Sequence, residues 1–128
     1  MYEKEIRMIY FILVLVGISK ACMDLVKDQF EVSIFKSLNP NFWNAKISWV
    51  NKYKKQDPKQ GAAFPLSTTL LVMFTDAWHL FQAAYLILWT LAVVTYKPRF
   101  GFFYDSAITL AIVTGTFSVF YSKLFRKN

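Results

Sequence analysis

The sequence is poor in the residues from which most active sites are built. It has one cysteine, Cys22, so no disulfide can form within the chain, and one histidine, His79. Together these two fall short of any zinc-binding spacing, so no metal site and no cofactor are expected. A glycine-rich phosphate loop, a serine nucleophile elbow and a paired acidic motif are all missing. Polar residues are also scarce. With 55% of residues apolar and 19% aromatic, an ordinary water-facing surface would be hard to cover. The surplus of apolar side chains calls for lipid.

What is present falls into three apolar blocks, about 7–26, 77–96 and 103–125. Each approaches the roughly 20 residues that cross about 30 Å of hydrocarbon. The expected fold is all-α, a single membrane domain built as a three-helix transmembrane bundle. An amphipathic interfacial helix is expected in the connection 27–66, and the second span is expected to ride on a longer helix, 67–96. The first block is read as a retained helix. The tail Met1 to Arg7 carries no net positive charge, and Lys20 sits where a signal peptide would be cleaved.

A formal net charge of +7 would suggest nucleic acid as partner in a soluble protein, but the placement of the cations argues otherwise. The N-terminal tail and second connection hold Lys4, Arg7, Lys97 and Arg99. The first connection and C-terminal tail hold Lys27, Lys36, Lys46, Lys52, Lys54, Lys55, Lys59, Lys123, Arg126 and Lys127. This bias predicts the N-terminus outside and the long connection and C-terminus in the cytoplasm. An integral protein of a prokaryotic inner or cell membrane, with no nucleic-acid partner, is the expectation.

The first block has an uninterrupted apolar core of only Met8 to Ile18, so its helix must recruit Ser19 to Val26. That brings Lys20 and Asp24 into the inner leaflet four residues apart, where they can pair. In the connection, Asn39-Pro40-Asn41 is turn chemistry. Phe42 to Lys55 then projects as an amphipathic helix, with Trp43 and Trp49 on one arc and Asn44, Asn51 and Lys52 on the other. Tryptophans and lysines together suit an anionic head-group layer. Ser67 or a neighbouring threonine is the expected N-cap of the central helix. On that helix the aromatic side, Phe74, Trp78, Phe81, Tyr85 and Trp89, is expected to face lipid. The polar side, Thr69, Asp76, His79 and Gln82, is expected to face the bundle. In the third block Asp105-Ser106 reads as a cap. Ala107, Ala111 and Gly115 recur every fourth residue as a helix-packing seam, to a partner inside the chain or in another copy.

With this topology the polar groups Lys20, Asp24, Asp76 and His79 gather at the cytoplasmic end, beside Trp43, Asn44, Trp49, Asn51 and Lys52. Three functions are compatible with that gathering. The preferred one is a non-enzymatic assembly or interaction protein that docks on anionic lipid head groups or a membrane-protein partner. The second is an interfacial enzyme on a lipid or lipid-linked substrate, with Asp76 orienting His79 as general base. The third is a pore or proton path. Trp49-Val50-Asn51-Lys52 and Asp76-Ala77-Trp78-His79 resemble the Trp-x-Asn-Lys and Asp-x-Trp-His motifs of uncharacterised small multi-pass membrane proteins. That resemblance covers only the connection and the front of the central helix, and it implies no activity. Three spans and a basic tail are also similar to three-helix phage holins, from which the long aromatic first connection departs.

Overall fold

In the computed structural model, which describes residues 1–127, the chain is helical and no strand forms among the described residues. Helix α1 runs Tyr2–Asp28, with Glu3 and Glu5 in its first turn and Lys27 in its last, as the helix dipole favours. Two one-turn helices follow, α2 (Pro40–Trp43) and α3 (Ala45–Ser48). Helix α4 is Ala77–Thr95 and α5 is Phe102–Val119, extended by a π-type turn over Phe120–Leu124. Three of these helices are long and apolar enough to cross a membrane. At about 1.5 Å per residue α1 is roughly 40 Å long and α4 roughly 28 Å.

Helix α1 lies between the other two. It packs against both α4 and α5, which make little contact with each other. Ile9, Ile12, Leu13 and Val16 close one apolar cluster with Ala92 of α4, flanked by Tyr85, Trp89, Ile112 and Val113. Farther along, Cys22, Leu25 and Val26 close a second with Phe30, Phe35 and Ala77, flanked by Trp43, Phe81, Tyr121 and Phe125. The central position explains how α1 tolerates a short apolar core, since protein rather than lipid surrounds much of its second half.

One residue sets the α1–α5 spacing. A Cβ built on Gly17 would stand 2.7 Å from Thr116 Cβ and 2.8 Å from the Val113 carbonyl oxygen. The absence of a side chain is therefore what lets the two backbones meet. The seam expected from Ala107, Ala111 and Gly115 plays no such part. All three are exposed on α5, and nothing lies within 4 Å of a Cβ built on Gly115.

Residues 29–75 fold as a cap over the end of the bundle formed by the C-termini of α1 and α5 and the N-terminus of α4. The Ile34 N–H donates to the Phe125 carbonyl at 2.8 Å, and the Lys127 N–H donates to the Val32 carbonyl. Trp43 stacks on Phe35 at 5.4 Å, and Phe35 in turn meets Phe81 and Phe125. A single amphipathic helix over 42–55 does not form. The Asn39 and Asn44 side chains each cap a new turn, and the chain continues as 3-10 turns, because asparagine oxygens compete for backbone N–H groups.

Two further expectations are corrected. Helix α4 starts at Ala77, not near Ser67. The buried Ser67 hydroxyl donates to the Lys52 carbonyl at 2.7 Å and the Thr75 hydroxyl to the Val72 carbonyl at 2.7 Å, so residues 66–75 are held as turns. In addition, Phe81, Tyr85 and Trp89 turn toward α1, while the outward face is aliphatic, with Leu86, Ile87, Val93 and Val94 exposed. Aromatic rings fill the space beside α1 that smaller side chains would leave empty.

At the far end the 96–101 connection is latched. The Asp105 carboxylate accepts from the Tyr96 hydroxyl at 2.7 Å and from the Arg99 and Phe100 N–H groups at 3.0 and 3.2 Å. Asp105 therefore does not begin α5, which starts at Phe102 after Gly101, whose φ of 96° suits glycine. Lys97 pairs with Glu5 at 2.8 Å, and the Arg99 guanidinium lies over the Tyr10 ring at 4.8 Å. Both cations of this connection are thereby tied to α1.

Candidate functional site

The first turn of α4 carries a largely buried, hydrogen-bonded acid–histidine pair. Asp76 is its N-cap, accepting the His79 N–H at 2.8 Å. The same carboxylate takes the His79 ring, with Nδ1 at 2.9 and 2.8 Å from its two oxygens. A carboxylate can only accept, so Nδ1 carries the proton and donates. The Asp76 side chain is 2% exposed and that of His79 15% exposed. Nε2, the other ring nitrogen, has no protein partner among the described residues. The pair thus lies within one helix turn and does not bridge helices.

His79 lines an open crevice of about 400 Å3 between α4, α3 and the end of α1. Its other lining residues are Lys27, Ala45, Lys46, Trp49, Trp78 and the edge of Asp76. Trp78 meets the His79 ring edge to face, with centroids 4.8 Å apart. Neither Lys27 nor Lys46 has a carboxylate within salt-bridge distance among the described residues. Two unpaired ammonium groups therefore flank a carboxylate-held imidazole against indole walls. No group of three or more His, Cys, Asp or Glu residues arranged for a metal occurs among the described residues.

Of the residues singled out from sequence, Asp76, His79 and Trp49 meet here. The others are placed elsewhere. Lys20 and Asp24 pair with each other on α1 at 2.7 Å. Trp43 is in the aromatic packing beneath the cap. Asn44 is buried, caps α3 and borders a neighbouring hollow with Lys27 and Lys46. The Asn51 amide donates to the Thr75 carbonyl at 2.9 Å and the Asn41 carbonyl at 2.6 Å, fastening the cap to the lead-in of α4. Lys52 lies over the Tyr53 ring at 5.5 Å. Sequence reasoning left out Lys27 and Lys46 as site residues, and no local signal marks them: they stand 19 residues apart and meet only because the cap folds back.

Comparison with known protein families, with curated proteins and with solved structures found no match to this chain.

Proposed function

We propose that the chain is a non-enzymatic integral membrane protein that docks its basic, capped end on an anionic cytoplasmic leaflet, with its N-terminus outside. The distribution of charge carries this reading. Residues 20–76 and 123–127 hold eleven of the fifteen lysines and arginines but five of the eight acids, a formal +6 against +1 for the rest. Those residues form the capped end. The four cations of the other end include Lys97 and Arg99, both engaged with α1. An aliphatic outward face on α4 and exposed apolar residues on α5, such as Leu110, suit acyl chains. Each lysine near an anionic surface contributes about 1 kcal/mol. Hydrogen exchange in lipid nanodiscs tests the docking. Residues 44–63 should exchange more slowly over phosphatidylglycerol than over phosphatidylcholine, and high salt should erase the difference. Exchange independent of lipid charge would remove the reading.

The outward seam of α5 supports a second part of this role, assembly with another copy or another membrane protein. Ala107, Ala111 and Gly115 are exposed and unused within the chain, and close backbone approach is what such a seam allows.

One observation favours the enzymatic alternative: Asp76 fixes His79 with Nε2 left for the crevice, as a general base requires. Retention of full biological activity by folded His79→Ala protein would end that alternative. The pore reading has less support. The hydroxyls of Thr90, Thr95 and Thr114 are bonded to carbonyls of their own helices, so they add no polar path through the apolar half.

A further inference from the structure

We propose that the crevice beside His79 seats the phosphate of a membrane lipid head group, with Lys27 and Lys46 as its two cationic contacts. The proposal rests on the reading that the capped end lies at an anionic leaflet, and it adds a discrete site to what would otherwise be diffuse attraction. Four features meet at this place. First, Lys27 on α1 and Lys46 on α3 line one crevice without a carboxylate partner among the described residues. Lys52, Lys54, Lys55 and Lys59 of the cap also have no salt-bridge partner among the described residues, but they do not line this crevice, and Lys20 and Lys36 pair with Asp24 and Glu31. Two ammonium-bearing side chains lining one crevice favour an anion there, although both also border a neighbouring hollow with Asp28 and Glu31.

Second, the one acid at the site is already occupied. The Asp76 carboxylate is 2% exposed and takes both the His79 N–H and the imidazole, so its oxygens are engaged by His79. Third, the crevice opens at the N-terminal turn of a 19-residue helix, whose dipole offsets the charge of the Asp76 cap. Fourth, the walls are Trp49 and Trp78, amphipathic rings suited to the boundary between head groups and acyl chains. About 400 Å3 falls in the usual range for small-ligand sites, and the open side leaves room for acyl chains to run out.

The experiment uses the full chain in a neutral detergent, with native mass spectrometry reading bound phosphatidylglycerol and Trp fluorescence reading affinity. Lys27 and Lys46 are exposed, so Lys27→Gln/Lys46→Gln should keep the fold. At about 1 kcal/mol per lysine, it should bind the lipid roughly 10- to 30-fold more weakly. Lys54→Gln/Lys55→Gln removes equal charge away from the crevice and should retain the bound lipid. Equal loss in both double variants would overturn the seat while leaving leaflet docking in place. Loss of lipid-charge-dependent hydrogen exchange in the parent protein would instead overturn the docking reading itself. Inorganic phosphate that displaced the lipid at equal concentration, with the same Lys27/Lys46 dependence, would overturn the lipid as the source of the phosphate.

Discussion

Asp76 does two jobs with one carboxylate, and its variants separate them. Asp76→Ala removes the cap of α4 and leaves the half-buried His79 Nδ1–H without its acceptor. A loss of about 0.5–2 kcal/mol is expected from the cap alone. Asp76→Asn keeps an oxygen for the cap and should cost less. Denaturation in mild detergent measures both, and equal costs would mean that the carboxylate–ring contact, not the cap, is what matters. At the other end, the Tyr96 hydroxyl donates to Asp105, which holds the phenol above its ordinary value of 10.0. A raised folded-state value means that the contact contributes in full below pH 10.0 and is lost as pH climbs through the raised value. Asp105→Ala should therefore bring Tyr96 ionisation down toward 10.0 in a tyrosinate absorbance titration. A titration curve that does not move would show that Asp105 does not hold the phenol.

The helices differ in what could be read ahead of the structure. The three apolar blocks announce three spans, because length and composition alone decide whether a helix can cross a bilayer. Hydropathy does not say which helix is central, and α1 takes that place although its second half carries Lys20 and Asp24. The start of α4 was hidden for a related reason. Leu70 to Phe74 is as apolar as the helix that follows, and only the Ser67 and Thr75 hydroxyl bonds and the Asp76 cap separate them. Asp76 and His79 were legible as a pair because they are three residues apart. Lys27 and Lys46 were not, because their meeting depends on how the cap folds. The two glycines in the spans make opposite predictions. Gly17→Ala forces a Cβ against Thr116 and the Val113 carbonyl and should destabilise the bundle by about 1–3 kcal/mol, as overpacking does. Gly115→Leu meets open space, so it should leave monomer stability unchanged and weaken self-association, read by energy transfer between labelled copies in vesicles. Unchanged association in Gly115→Leu would remove the seam from the account of assembly.

As a whole the molecule is polarised. One end is tied by Asp105, Lys97–Glu5 and Arg99–Tyr10 and carries little net charge, while the other is covered by a lysine-rich cap with a cation-lined crevice. Leaflet docking, the phosphate seat and the assembly face all depend on that polarity being matched to the two sides of a membrane. The most direct measurement is sidedness. In a Cys22→Ser background, single cysteines at Asp57 in the cap and Pro98 in the far connection are treated with a membrane-impermeant maleimide on intact cells. Pro98→Cys should label at once, and Asp57→Cys only after the membrane is opened. Immediate labelling of both, or the reverse pattern, would contradict the proposed orientation.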